Sequence, residues 1–177
     1  MILATIILTS MTSSKYTIDF GIGKVGQEWM IVNDGVMGGY SDSEANILDN
    51  SLFFKGIISL KNNGGFASIR KTGERLDISN FQKVKIRFKS KGRKFALRLT
   101  SSDSYWKPFF KQEFESSTMD WETLEFNLSD FKEYTINGET GNTLIPEAET
   151  KDFRLGLILF DKKEGPFEIE IDYIEFY

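Results

Sequence analysis

The feature that most limits the fold of this chain is an alternation of polar and apolar residues with a period of two. Residues 83–90 and 94–100 alternate mostly basic side chains with Val, Ile, Phe and Leu, and residues 167–173 alternate acidic side chains with Phe, Ile and Tyr. Successive side chains of a strand point to opposite faces, so each segment predicts a strand with one buried face. The apolar residues change parity after Tyr173, which predicts a bulge or a change of burial there.

Seven less regular segments are also strand candidates, because they are apolar or aromatic and end at Gly, Asn, Asp or Ser. They are residues 16–20, 29–33, 52–60, 66–70, 105–114, 121–128 and 153–160. About ten strands, together with 16 Phe, 6 Tyr and 3 Trp, predict an all-β fold, an antiparallel β-sandwich or jelly roll.

Helix and loop expectations are few. No window of about a dozen residues has an apolar stripe of helical period, so only one helical turn is expected, around residues 129–134 and capped by Ser129. Residues 135–151 are polar and contain Gly and Pro, which predicts the longest loop of the chain, without strand or helix.

A charge pattern predicts one strand pairing. Lys83, Lys85, Arg87 and Lys89 line the polar face of one strand candidate, whereas Glu168, Glu170 and Asp172 line that of another. If these strands are neighbours, opposite charges face each other across the ladder, each pair contributing about 0.2–1 kcal/mol. Two unrelated solvated faces are the alternative.

The length of 177 residues predicts one domain over residues 16–177, preceded by a tail over residues 1–15. The apolar residues 2–8 are interpreted as an extra strand, an added tail or a degenerate export signal, and they are too short to span a bilayer. We therefore expect a cytoplasmic protein that is not integral to a membrane, with a periplasmic or secreted location as the alternative.

Composition excludes several function classes. The net charge of −4 with mixed signs argues against a nucleic-acid partner. Without His or Cys the chain cannot form a Ser-His-Asp triad, a disulfide or a zinc site with nitrogen or sulfur ligands. No cofactor or metal site is predicted, and a non-enzymatic domain is favoured. The alternative is a carboxylate-based hydrolase drawing on Asp34, Asp103, Glu113 or Asp161.

Two glycine-rich signatures stand out, the first at residues 29–41 and the second at residues 62–70. Adjacent glycines flanked by Asn or Asp predict backbone at positive φ or in close approach to another group. Asp34 is expected to accept backbone N–H bonds or to pair with Arg70. A phosphate cradle is disfavoured because no helix follows Gly39. Residues 62–65 predict a hairpin turn between two strands.

The two signatures resemble the complex I intermediate-associated protein family. The resemblance extends from about Asp19 to the C-terminus and also includes Trp121 before an apolar strand and residues 165–167 leading into residues 171–174. It implies a jelly roll of galactose-binding-domain type and, for eukaryotic members, a chaperone-like role in assembling mitochondrial respiratory complex I. The sequence departs from the family pattern at residues 90–93 and in the N-terminal region, and these differences favour a stand-alone bacterial relative.

Two binding functions follow as expectations. The resemblance implies protein–protein contact in assembly, with membrane-complex subunits among the candidate partners, whereas the fold and its polar and aromatic residues favour carbohydrate or small-ligand binding as the alternative. Pro108 would place the preceding aromatic pair at an edge or loop mouth. The candidate binding residues are Trp29, Asn33, Asp34, Met37, Gly38, Gly39, Asn62, Asn63, Arg70, Tyr105 and Trp106.

Overall fold

The computed structural model describes residues 14–21, 28–104, 106–149 and 152–177. In chain order the strands of these residues are β1 (Tyr16–Asp19), β2 (Trp29–Ile31), β3 (Asp42–Leu48), β4 (Ser51–Ile58), β5 (Ala67–Lys71), β6 (Lys83–Ser90), β7 (Lys94–Thr100), β8 (Phe109–Glu115), β9 (Glu122–Asn127), β10 (Lys132–Thr135), β11 (Gly138–Thr143), β12 (Arg154–Leu159) and β13 (Gly165–Phe176). Helical structure in the described ranges is limited to four short 3-10 turns. The expectations for residues 1–13 lie outside the described residues.

The strands form two antiparallel sheets. The six-stranded sheet has the order β3-β4-β13-β6-β9, with β1 also paired to β13. The seven-stranded sheet has the order β11-β10-β8-β7-β12-β5-β2. The predicted all-β antiparallel sandwich is confirmed.

The core lies between the two sheets and consists of the apolar residues of the alternating segments. Phe88 of β6 and Phe95 of β7 are fully buried or nearly so, and both contact the ring of Phe114 in β8. The Phe88–Phe114 rings meet edge to face with centroids 4.8 Å apart, a geometry that adds about 1 kcal/mol beyond the burial of area. These contacts hold the two sheets together, so the outward side chains of each sheet remain available for other contacts.

The predicted pairing of the basic and acidic strands is confirmed, since β6 lies beside β13. Lys89 forms an ion pair with Glu170 at 2.5 Å, and Arg87 bonds to Asp172. Glu168 differs from the expectation, because it lies opposite β4 rather than β6.

The bulge expected near Tyr173 is also confirmed. The register between β13 and β6 shifts between Ile171 and Tyr173. Asp172 is the residue added at this shift, and the apolar parity of the strand changes there because one extra residue moves the following side chains to the opposite face.

Two expectations for the region after β9 are wrong. Instead of a helical turn capped by Ser129, a 3-10 turn spans Leu128–Asp130 without a side-chain cap, and β10 follows it. The predicted loop 135–151 contains β11, which pairs with β10 through a turn in which Gly138 has φ 117°. Every side chain of β11 is exposed, so this edge strand lacks the apolar alternation that would have indicated it.

The predicted hairpin at residues 62–65 is wrong as well. These residues connect β4 of one sheet to β5 of the other, so they form a corner between the sheets. Asn62 and Asn63 have φ of 54° and 57°, the left-handed conformation that the sequence predicted.

Candidate functional site

Asp34 joins the two signatures. It begins a 3-10 turn over Asp34–Met37 and is 1% exposed. Its Oδ1 accepts a hydrogen bond from the backbone N–H of Ser41 at 2.9 Å, and its Oδ2 accepts one from the Ser41 hydroxyl at 2.5 Å. The same Oδ2 accepts the backbone N–H groups of Gly65 at 2.6 Å and Phe66 at 3.2 Å. The first signature is therefore attached to the second through one carboxylate.

The glycines of both signatures serve this junction. In each pair one residue has positive φ, namely Gly38 at 86° and Gly65 at 122°. The other residue approaches the carboxylate closely. A Cβ on Gly39 would lie 2.8 Å from the Cβ of Asp34, and one on Gly64 would lie 2.7 Å from Oδ2. Both predicted uses of glycine are confirmed.

The hydrogen bonds also set the ionisation of Asp34. Burial alone would raise the pKa of the Asp34 carboxyl, but hydrogen bonds from the Ser41 hydroxyl and from the backbone of Gly65, Ser41 and Phe66 outweigh it and lower the pKa. The carboxylate is thus charged at neutral pH and fully engaged with protein donors. Its contacts are those of a structural junction.

The expected alternative pairing of Asp34 with Arg70 is wrong. Arg70 lies in β5, where its neighbours Ile69 and Ala67 point into the core and Arg70 points to the outer face of the seven-stranded sheet. The Asp34 carboxylate, already occupied by hydroxyl and backbone donors, lies at the corner between the sheets.

The remaining signature residues divide into supporting and exposed ones. Trp29 is partly buried and packs against the core, with its ring 6.1 Å from that of Phe20. Asn33 accepts a hydrogen bond from the Ser43 hydroxyl at 2.8 Å, and Asn62 donates one to the backbone oxygen of Gly38 at 3.3 Å.

Met37, Gly38, Asn62, Asn63 and Trp106 are the exposed candidates among the described residues, and Trp106 is 72% exposed. Trp106 lies in the loop between β7 and β8. Tyr105, beside it in the sequence, lies outside the described residues.

The junction at Asp34 holds several apolar side chains at the surface. Val36 is 74% exposed and Met37 61%, and Leu60 and Phe160 flank Gly65, where a Cβ would meet both. We call this set the signature surface; its members are Val36, Met37, Tyr40, Leu60 and Phe160, all more than 40% exposed. An open cavity of 550 Å³ lies alongside, lined by Tyr40, Ser59, Lys61 and Asn62.

A second candidate region lies on the outer face of the seven-stranded sheet. A cavity of 230 Å³ is lined there by residues of β7, β8, β10 and β12, including Phe109 and Tyr134, whose rings stack with centroids 6.0 Å apart. The guanidinium of Arg98 lies 3.9 Å from the Phe109 centroid, and the Lys111 ammonium lies 4.2 Å from that of Tyr134. The sequence analysis did not select these four residues, although their alternation in the strands would have indicated a shared face.

The carboxylates that a hydrolase would need are held by basic partners. Asp161 binds Arg93 through both oxygens at 2.8 and 2.9 Å, and Glu113 binds Lys111 at 2.7 Å. Asp103 binds two arginines. The described residues contain no group of three or more carboxylates, His or Cys suited to a metal ion. Within the same ranges, no helix is long and apolar enough to cross a membrane.

Comparison with known proteins decides the family. The family model described as complex I intermediate-associated protein 30 matches residues 18–171. The chain belongs to this family. The resemblance of the two signatures is confirmed, and the Asp34 junction is the structure that they form in this complex I intermediate-associated protein 30 family member. No curated protein matches the chain significantly.

Several solved structures similar to this family member are carbohydrate-binding modules. The family 11 module of a cellulosomal cellulase of Clostridium thermocellum has a TM-score of 0.67 at 14% identity, covering 92% of this chain and 94% of that one. The same module in complex with a β-1,3-1,4-mixed-linked tetrasaccharide gives a TM-score of 0.64 at 14% identity and the same coverage. A low-affinity xylan-binding module from Roseburia intestinalis gives 0.53 at 11% identity, covering 93% and 95%. At these identities the likeness shows the fold, which confirms the jelly roll of galactose-binding-domain type.

Proposed function

We propose that this chain is a non-enzymatic binding domain that takes part in respiratory complex I assembly through protein contact at the signature surface. The family description supports the process, and the exposure of Val36 and Met37 on a turn held by Asp34 supports the surface. Apolar side chains that are this exposed contribute little to the core, and a group of them at the surface is typical of a site of contact with another molecule.

The energetics favour such a contact. Complete burial of an exposed Val or Met side chain is worth about 1.5–3 kcal/mol. Because the hydrogen bonds to Asp34 already order the turn, a partner gains this burial with little further loss of conformational entropy. A few well-placed side chains of this kind carry most of the affinity of an interface.

The experiment is a capture of partners from detergent-solubilised membranes of the source cells by the tagged protein, followed by quantitative mass spectrometry. The test variant carries Val36→Ser and Met37→Ser. The matched control carries Leu48→Ser and Ile57→Thr, which remove apolar side chains that are 56% and 61% exposed on the six-stranded sheet. We expect complex I subunits to be enriched by the wild type and the control, and at least tenfold less by the test variant. Equal enrichment by all three proteins would contradict the proposed surface, and absence of complex I subunits would contradict the proposed process.

Carbohydrate binding is a second candidate function, favoured by the cavity beside Phe109 and Tyr134 on the sheet face. The structural neighbours that bind oligosaccharides support it by analogy of fold. An NMR titration of the protein with a mixed-linked β-glucan tetrasaccharide tests this function. We expect Tyr134→Ala to abolish the chemical-shift changes that the tetrasaccharide causes. Tyr40→Ala, on the signature surface, should leave them intact. Shifts that survive Tyr134→Ala would remove the sheet face from consideration.

A further inference from the structure

The geometry points to a binding site for the oxyanion of an acidic sugar between Arg70 and Arg98, on the outer face of the seven-stranded sheet. The two arginines lie outside the signature surface, on β5 and β7 beside β12, although the adjoining cavity is also lined by Phe160 of that surface. The placement of the sugar ring rests on the second candidate function, carbohydrate binding. The binding site for the anion is argued from the two arginines alone.

The register of the sheet places the two arginines on either side of a glycine. Gly156 of β12 lies directly opposite Arg70 on one side and Arg98 on the other. Because neighbouring strands are about 4.8 Å apart, the Cα atoms of the arginines are about 10 Å apart, with the bare backbone of Gly156 between them. A Cβ at Gly156 would lie 3.0 Å from the backbone oxygen of Ile69. Gly156 contributes no side chain between the two arginines, and the Cγ of Arg70 lies 3.7 Å from the position that a Cβ of Gly156 would occupy.

Both guanidiniums lack acceptors. The Nε atoms of Arg70 and Arg98 are buried without a hydrogen-bond partner, and in the described part of the chain neither side chain forms an ion pair. Arg93, by contrast, donates to Asp161 and to three backbone oxygens. Arg154, on the same face, is bound to Asp103. A buried polar group normally has a partner, so two neighbouring exceptions indicate a missing acceptor.

The electrostatics agree with the geometry. Burial, together with a smaller effect of the nearby charge of Arg70, lowers the pKa of Arg98 to about 10. Burial also lowers the pKa of Arg70; the nearby carboxylate of Asp103, which is bound to Arg154, opposes this effect, and the charge of Arg154 adds to it. Both groups remain cationic at neutral pH and repel each other, and an oxyanion placed between them would relieve both the repulsion and the missing acceptors. The stacking of Arg98 on Phe109 holds the guanidinium in place without using its N–H groups.

The adjoining cavity indicates the rest of the ligand. Ala96 and Ile158, which line the 230 Å³ cavity, lie two residues along β7 and β12 from Arg98 and Gly156 and so share their face about 7 Å away. The cavity is also lined by Phe109 and Tyr134, aromatic residues of the kind that line ligand pockets, although Arg98 already covers one face of the Phe109 ring. A sugar ring in the cavity would bring a carboxylate or phosphate substituent to the arginines.

The test compares glucuronate, glucose 6-phosphate and glucose at matched ionic strength, with binding followed by NMR titration and by the melting temperature. The test variant is Arg70→Gln with Arg98→Gln. The control, Arg87→Gln with Lys89→Gln, removes the same charge from the other sheet, where both cations have acidic partners. We expect glucuronate to bind the wild type and the control at least tenfold more tightly than it binds the test variant, and at least tenfold more tightly than glucose binds.

Each outcome is informative. Tighter binding of glucose 6-phosphate than of glucuronate would support the site and assign its oxyanion to a phosphate ester. Equal binding of glucose and glucuronate would overturn the inference while leaving carbohydrate binding intact. Absence of binding by all three compounds would overturn the inference, whereas carbohydrate binding itself is decided separately by the titration with the tetrasaccharide. The test variant is expected to fold, because it loses two unpartnered buried charges, and its melting temperature in the absence of ligand should be at least that of the wild type. If it fails to fold, Arg98→Lys replaces it, and wild-type glucuronate affinity in that variant would overturn the requirement for a guanidinium.

Discussion

The carboxylate of Asp34 accepts a hydrogen bond of 2.6 Å from the backbone N–H of Gly65, 31 positions further along the chain. This bond connects the turn after β2 to the corner between β4 and β5, and so fixes the position of one signature relative to the other. It also explains why both glycine pairs are needed, because Gly39 and Gly64 approach the same carboxylate from two sides. The exposed side chains of the signature surface depend on this junction for their position.

Asp34→Asn is expected to lower the free energy of unfolding by about 3 kcal/mol. Hydrogen bonds to a charged group contribute about 1.5–3 kcal/mol each, and an amide in place of the carboxylate turns one acceptor into a donor that faces other donors. Urea unfolding measures the change. The matched control is Glu44→Gln, which removes an exposed carboxylate paired with Lys55 and should change stability by less than about 0.5 kcal/mol. Equal effects of the two changes would contradict the role assigned to Asp34.

The contribution of Asp34 should depend on pH. Its folded-state pKa is lowered, so the carboxyl contributes stability above its unfolded pKa of about 3.9, and this contribution is lost as the pH falls through the folded value. The difference in stability between the wild type and Asp34→Asn should be constant from pH 7 to about pH 5 and should narrow below about pH 4. Urea unfolding at several pH values measures it. A difference that stays constant to pH 3 would mean that the charge of Asp34 is not what stabilises the junction.

Two glycines of the first signature should respond differently to substitution by Ala. Gly39→Ala is expected to cost about 2–3 kcal/mol or to prevent folding, because its Cβ would overlap the side chain of Asp34. Gly35→Ala is the control, since a Cβ there would meet nothing within 4 Å and its φ is not positive. Thermal unfolding compares the two variants. Comparable melting temperatures would show that the turn can shift away from Asp34 without loss.

Most strands could be predicted from the sequence, because a strand with one buried face alternates apolar and polar residues. The pairing of β6 with β13 followed from a different signal, the opposite charges on the polar faces of two strands that lie far apart in the sequence. Three strands were missed: β3 and β11, which are polar edge strands of their sheets, and β10, which lies beside β11 and was expected to be part of a helical turn. Exposed edge residues carry little information about burial, so their strand character depends on the neighbour with which they pair.

The candidate site was predictable only in part. The glycine pairs and Asp34 were identified because their backbone requirements are local. Asp34 was expected to accept backbone N–H bonds because Asp side chains often do so in turns. The partner of Asp34 was open, because whether Arg70 reaches it depends on which sheet β5 joins. The isolated arginine pair at Gly156 was missed for a similar reason, since Arg70, Arg98 and Gly156 are brought together only by strand order.

The last prediction concerns the buried ion pair between Arg93 and Asp161, which the sequence analysis did not predict. Arg93 is 8% exposed, binds Asp161 through two hydrogen bonds and donates to the backbone oxygens of Lys163, Gly165 and Pro166. Only the planar guanidinium provides donors for all these acceptors. Arg93→Lys should therefore lower the free energy of unfolding by about 3 kcal/mol, close to the cost of breaking a buried pair.

The control for this change is Arg87→Lys, at an ion pair with Asp172 in which both side chains are more than a quarter exposed. There a lysine can still reach its partner through water, and the expected change is below about 0.5 kcal/mol. Urea unfolding of both variants at pH 7 measures the difference. A loss of less than about 1 kcal/mol in Arg93→Lys would show that an ammonium satisfies Asp161 and that the backbone oxygens find water instead, so the loop between β12 and β13 would not depend on the guanidinium.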